Sequence, residues 1–362
     1  IQTTDGKSYE TFMPESHFAA GTSYSCRILS NADTQGIHTA ADFIAFTHLI
    51  NGEAYEGRSL DEFRTEENGR NIYRLCADIE FTPEECSQLM EIGIYHNSYS
   101  ERTNFNDIFD GQGHTLTNLT LQTPENRIRY GLFGYIEEKG IIRNLHIRNS
   151  TLTVNQATEA GILAGVNFGI ITDCSVKNSQ IIGTSLAKEK YVGGLLANNS
   201  GYVTNCAAEN ILIESSVSYV GGLIGINQKY LLNSYAANCD LRSKTQGMLC
   251  YSCNSGQIHN CYTSGVPANC YSLCYTAINT FKVYYCYYPQ NTIWRKNDKP
   301  TSNVKAIEAI NFEDPSSQEY LITKLNNWIP EQGASLFPKL DFQSWQSNDS
   351  PPAVLVISGT KH

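Results

Sequence analysis

A two-block unit recurs along the middle of the chain and constrains the fold more than any other feature. The first block reads YGLFG (130–134), GILAG (161–165), GGLLA (193–197), GGLIG (221–225), QGMLC (246–250) and YSLCY (271–275). Each is followed by a second: GIIRNL (140–145), GIITDC (169–174), GYVTNC (201–206), KYLLNS (229–234), GQIHNC (256–261) and FKVYYC (281–286). The first blocks end at residues 134, 165, 197, 225, 250 and 275, so the unit is 25 to 32 residues long.

Superposing the copies gives columns. The first block is centred on Leu132, Leu163, Leu195, Leu223, Met248 and Leu273. A second apolar column holds Ile142, Ile171, Val203, Leu231, Ile258 and Val283, and two residues on stand Asn144, Asp173, Asn205, Asn233, Asn260 and Tyr285. A further column reads Asn149, Asn178, Asn210, Asn238 and Gly265, followed by Leu152, Ile181, Ile213 and Leu241. Apolar residues alternate over short runs that Gly or Asn interrupts, which describes strands between sharp bends. Gly and Asn tolerate a left-handed backbone at such bends. One unit cannot bury its own apolar face, whereas stacked units share a continuous core.

The expected fold is therefore all-β: a single-stranded, right-handed parallel β-helix (β-solenoid) of about three short strands per turn, with short helical or irregular caps. The hand follows from the rule for parallel crossovers. Neighbouring turns then lie about 4.8 Å apart, close enough for Asn side chains to form ladders. A propeller blade needs about 40 to 45 residues, and a leucine-rich repeat needs a denser Leu pattern.

The pattern GGLxG…NxG.I.NC resembles the GLUG repeat of bacterial surface proteins. HTAADFIAFTHLING (38–52), YRLCADIEF (73–81) and FNDIFDGQGHTLTNLTL (105–121) are similar to the lead-in usual there, and LNNWIPEQGASLFPKL (325–340) to the closing segment. The resemblance spans roughly residues 37 to 340. It implies an adhesin-like β-helix of the Bacteroides type; similar repeats also accompany IgA-cleaving metallopeptidases. The last two copies depart from it, with Cys or Tyr in place of Gly, which predicts irregular turns there.

Along the chain, 1–36 reads as a tail or extra strands, 37–128 as a cap helix and first rungs, 129–290 as the repeat rungs and 291–362 as a C-terminal cap. Thr39 and Asp42 form a capping-box pattern opening a helix whose apolar side carries Ala41, Ile44, Ala45 and His48, widened by Phe43 and Phe46. That helix would cover an open sheet edge. Residues 53–70 are charged and read as a loop. In the last region, 316–328 reads as a helix with Ser at its start and 353–358 as a strand, together closing the far end.

The formal net charge of −10 without basic clusters argues against nucleic acid or anionic lipid as partner. No apolar run approaches the length of a membrane span. The chain opens at Ile1, so a mature or trimmed form is expected, with a signal or lipoprotein anchor removed and an extracellular or cell-surface location.

Few residues are candidates for chemistry. The histidines, at 17, 38, 48, 96, 114, 146, 259 and 362, include no pair at metallopeptidase spacing. Cys250, Cys253, Cys270 and Cys274 have zinc-like spacing, but the column alignment sets Cys250 against Tyr275, so Cys250 and Cys274 should point apart. Cys174, Cys206, Cys261 and Cys286 share a column with Leu145 and Ser234 and read as inward-facing free thiols. Asp78, Glu80, Asp107, Asp110 and His114 form the densest polar group, and Asp110 in DGQG reads as a turn residue. The sequence thus assigns no catalytic, cofactor-binding or metal-binding residue. It predicts a non-catalytic, monomeric surface or secreted binding module for a surface glycan or host protein. Contact sites are expected on variable segments such as GTSLAKEKY (183–191) and on Tyr-rich strands such as VYYCYY (283–288). The alternative is a carbohydrate-active β-helix enzyme, a polysaccharide lyase or hydrolase.

Overall fold

The computed structural model describes residues 35–94, 103–124, 127–155, 159–183, 191–215, 219–278, 280–296, 304–348 and 353–355. The repeat region winds as a parallel β-solenoid. One turn holds five short strands, Phe133–Ile136, Ile141–Arg143, His146–Arg148, Thr151–Val154 and Glu159–Gly161, where the sequence predicts about three. The difference comes from the Asn columns. Asn144 (φ 52°) and Asn149 (φ 51°) are left-handed and bend what alternation reads as longer strands.

Successive turns pair in parallel and in register. Ile142, Ile171, Val203, Leu231, Ile258 and Val283 stack in order, each with 0% exposure. Leu152, Ile181, Ile213 and Leu241 also stack in order one face on, all buried. Every Asn-column residue has a positive φ, from Asn144 through Tyr285 and from Asn149 through Gly265. The side chains form the expected ladder: Nδ2 of Asn205 donates to Asp173 Oδ1 (3.0 Å), Asn233 to Asn205 (2.8 Å) and Asn260 to Asn233 (2.7 Å). Each such bond contributes roughly 1 kcal/mol net.

The register of the fifth copy corrects the sequence alignment by one residue. Gly221 pairs with Gly247, and Leu223 N donates to Leu249 O (3.2 Å), so Leu249 rather than Met248 continues the Leu column. The glycine ending the preceding strand sets this register. A Cβ on Gly221 would lie 1.8 Å from Ile224 O, and one on Gly247 2.1 Å from Cys250 O, so only glycine fits at either position. Cys250 therefore pairs directly with Cys274, and the expectation that the two point apart fails.

At the N-terminal end, α1 (Ala40–Leu49) carries the full Thr39–Asp42 capping box. Ala41 is exposed, and Phe43 and Phe46 supply the buried face, meeting Phe109 at ring distances of 6.2 and 5.7 Å. Residues 53–70 are not simply a loop. Arg64–Glu67 and Arg70–Arg74 form an antiparallel hairpin across Asn68 (φ 53°) and Gly69 (φ 74°), the left-handed pair such a turn requires. A short helix, α2 (Pro83–Cys86), comes next with a Thr82–Glu85 capping box.

At the other end, the Trp294 carbonyl accepts from Leu273 N and Cys274 N, both at 3.0 Å, and its buried ring joins the core. The strand Val304–Ile310 pairs in parallel with Lys282–Pro289. The third helix, α3 (Pro315–Trp328), is capped by Asp314, not by Ser. From Leu325 in α3 onward the chain meets the Asn ladder along the flank. Asn260 Nδ2 donates to Leu325 O (3.0 Å), Asn233 Nδ2 to Gln343 O (2.8 Å) and Asn205 Nδ2 to Asp341 O (2.9 Å). Leu321, Leu325 and Trp345 pack with Tyr235 and Tyr262 in a second buried cluster on this face. The Asn ladder thus satisfies its outward-facing amides by gripping a backbone segment.

Candidate binding surfaces

The acidic residues singled out from sequence are dispersed among separate hydrogen bonds, and Asp78 and Glu80 are exposed. Asp110 Oδ1 accepts from Gln112 N (2.9 Å) and Asn144 Nδ2 (3.1 Å), and its Oδ2 from Arg143 Nε (2.9 Å). Arg143 also binds Glu67 (2.7 and 3.0 Å) and holds that carboxyl below its ordinary range. Asp78 accepts from Thr115 N (2.7 Å) and contacts His114 Nδ1 (3.3 Å). Glu80 accepts from Asn118 Nδ2 (2.9 Å), and Asp107 lies 3.4 Å from both Asn71 Nδ2 and Tyr73 Oη. In these hydrogen bonds no two of the four share a partner.

Cys174, Cys206, Cys261 and Cys286 each have 0% exposure and are free thiols, as are the other described cysteines. Each thiol donates to the carbonyl two residues earlier, at 3.1, 3.1, 3.2 and 3.3 Å. Burial first, then the adjacent thiol, pushes Cys174 well above the usual thiol range. For Cys250 the neighbouring Cys274 is the larger cause and burial the second. Such thiols are poor nucleophiles. Among the described residues, no three His, Cys, Asp or Glu side chains gather as a metal site.

One outer face carries a ladder of stacked tyrosines. Tyr191 and Tyr219 pair in register with ring centroids 5.7 Å apart. Tyr219 stacks on Tyr251 (4.5 Å, 18°), and Tyr251 on Tyr275 (5.2 Å, 15°). Lys296 covers Tyr275 at 4.8 Å and donates to its hydroxyl (2.6 Å). Tyr219 is 38% exposed and the other three are half-buried. Tyr251 and Tyr275 continue the column that holds Gly225, so the departures from glycine in the last copies build this ladder. Burial, then Tyr219, pushes the Tyr251 hydroxyl up to about 12, so this ring is neutral at physiological pH.

Two concavities adjoin the solenoid. A cavity of about 460 Å³ lies beside α2 and is lined by Leu89, Glu91, Arg127 and Tyr130. Glu91 Oε2 accepts from Arg127 Nε (3.1 Å), while burial pushes the carboxyl well above its ordinary range. A groove of about 360 Å³ lies on the flank where the C-terminal segment docks, with Tyr230, His259, Lys282, Tyr284, Lys305 and Phe337 among its lining residues. Within VYYCYY, Tyr284 faces this groove, whereas Tyr287 is 2% exposed in the cluster under α3. The segment 184–190, most of the loop expected to make contacts, lies outside the described residues.

Sequence reasoning missed a further ladder, in which Asn167 donates to Asn199 (3.0 Å) and Asn199 to Asn227 (2.8 Å), all with 0% exposure. Its signal was present as an Asn shortly before most of the second blocks. The flank groove carried no local signal, because the docked C-terminal segment makes one of its walls.

Fold and surfaces together define a parallel β-solenoid with aromatic outer columns. No family model matches the chain. The chain is similar to Halomucin of Haloquadratum walsbyi (strain DSM 16790 / HBSQ001), 27% identical over 188 residues, or 48% of this chain. It spans only 2% of that protein's length. Among solved structures it is similar to a "putative immunoglobulin A1 protease" from Bacteroides ovatus, with a TM-score of 0.48 and 14% identity over 91% of this chain and 94% of that one.

Proposed function

We propose that this chain is a non-catalytic binding module of a secreted or cell-surface protein, contacting a glycan or host protein through the outer faces of its solenoid. The tyrosine ladder carries this reading. Four neighbouring rings offer rigid apolar area with polar tips, which suits an extended ligand. The dispersal of Asp78, Glu80, Asp107 and Asp110 among separate partners supports binding over hydrolysis. Similarity to part of Halomucin and the GLUG-like pattern support a place outside the cell. A glycan and host-protein array, probed with the wild-type chain and with Tyr219→Ala/Tyr251→Ala, tests it. Binding that the double substitution weakens at least tenfold is expected. Turnover in a polysaccharide panel read by reducing ends, lost on changing Asp78, Asp107 or Asp110, would overturn it.

A further inference from the structure

The chain carries a net charge of −10, yet the flank groove is lined by two lysines, Lys282 and Lys305, and by no carboxylate. Both lysines are exposed. Lys305 Nζ stands 5.6 Å over the Tyr284 ring. Opposite, Tyr230 stacks on Tyr202 (4.8 Å, 17°) and meets Phe337 edge-on (5.3 Å). The amides of Gln257 and Gln332 also line the groove. His259 is 2% exposed; its Nε2 lies 3.2 Å from Gln257 Oε1, and its Nδ1 has no hydrogen-bond partner among the described residues. Burial, then Lys282, lowers the imidazole to about 4, so the ring is uncharged at neutral pH.

We propose that this groove binds an anionic saccharide, a sugar ring bearing a carboxylate or a sulfate ester. The lysines take the anion, the aromatic rings take the apolar faces of the pyranose, and the two amides are placed for its hydroxyls. An acidic peptide fits less well. Peptides commonly add to a free sheet edge, and Lys282–Pro289 is already paired on both sides, with Gln257–His259 and Val304–Ile310. Val304–Ile310 has a strand partner on one side only among the described residues, so an acidic peptide is the competing ligand that hexa-glutamate tests. The proposal rests on the reading of the chain as a binding module and adds a site and ligand class distinct from the tyrosine ladder.

Titration calorimetry on the full chain tests it with four probes: hexa-galacturonate, a chondroitin sulfate hexasaccharide, neutral maltohexaose and hexa-glutamate. The variants are Lys282→Gln/Lys305→Gln and, as a control for loss of an exposed lysine outside the groove, Lys244→Gln. Thermal melting confirms that these exposed substitutions leave the fold intact. At least one anionic sugar should bind the wild-type chain, at least tenfold more weakly to the double variant and within twofold of wild type to Lys244→Gln. Which sugar binds distinguishes carboxylate from sulfate. Equal binding of maltohexaose or hexa-glutamate, an unchanged double variant, or no binding of either anionic sugar would overturn the proposal. If the arrays nonetheless show a ladder-dependent ligand, the binding-module reading stands and only the groove assignment falls.

Discussion

Asn233 is the most informative single position for how this solenoid is held together. It has 0% exposure and a left-handed φ of 46°. Its Nδ2 donates to Asn205 Oδ1 (2.8 Å) and Gln343 O (2.8 Å), and its Oδ1 accepts from Asn260 Nδ2 (2.7 Å) and Trp345 Nε1 (2.7 Å). Asn233→Ala removes all four bonds. The indole N–H, having a single hydrogen, is left without a partner at a cost of about 1–3 kcal/mol, and the weakened amide and carbonyl neighbours add about 1 kcal/mol. Asn already carries a Cβ at this left-handed φ, so Ala loses only the local tolerance that the polar Asn side chain confers, a small further cost. The expected loss is therefore roughly 3 kcal/mol, a large part of the stability of an ordinary domain. Asn233→Gly loses the same bonds without the backbone penalty and should be about 1 kcal/mol less destabilised. Urea unfolding followed by circular dichroism gives both values, and limited proteolysis around 341–347 reports release of the docked segment. If both variants stay within about 0.5 kcal/mol of wild type, the ladder does not hold the segment. Equal losses for Ala and Gly would refute the left-handed backbone argument.

Leu195→Asp should abolish a cooperative near-native melt, since it buries an unpaired charge and removes roughly 1.5–3 kcal/mol of Leu burial at a site with 0% exposure; an unchanged melting curve would contradict the inward column. Cys174, Cys206, Cys261 and Cys286 should resist iodoacetamide while folded and all react in denaturant, read by mass spectrometry; rapid native labelling would contradict their burial. Burial, then nearby cations, lowers His146 and His259 to about 4 from an ordinary 6.5. The stability this represents is present above pH 6.5 and is lost as pH falls from 6.5 to 4, roughly 3 kcal/mol per histidine at most. His146→Asn/His259→Asn should therefore flatten the stability profile between pH 4 and 7, and an unaltered slope would show that neither histidine is buried neutral.

Much of the interior was legible because stacked turns force like residues into one column. The apolar columns and both left-handed Asn columns follow from alternation interrupted at a fixed offset. The error at Met248 has a clear origin. The block motif sets Gly247 on Gly222, whereas in the fold it pairs with Gly221, and the extra residue falls later, between Cys250 and Gln257. The Asn68–Gly69 turn was readable but masked by the charge of its flanking residues. The flank was not legible. Nothing local in 341–347 announces that its backbone answers the amides of Asn205 and Asn233, since that pairing spans more than a hundred residues. The tyrosine ladder was half visible: substitutions of Gly by Tyr read as irregular turns, whereas the backbone keeps its register and the rings stack outside.

In-register stacking underlies every column, ladder and surface of this solenoid, and one disulfide-mapping measurement tests it directly. Gln180 pairs with Leu212 across adjacent turns, both half-buried, while Glu214 lies opposite Ile182. Adjacent parallel strands lie about 4.8 Å apart, within the Cα separation a disulfide bridges. Under mild oxidation and peptide mapping by mass spectrometry, Gln180→Cys/Leu212→Cys should crosslink readily within one chain, and Gln180→Cys/Glu214→Cys should remain reduced. Crosslinking of the second pair in preference to the first, or of neither, would contradict the stacked register.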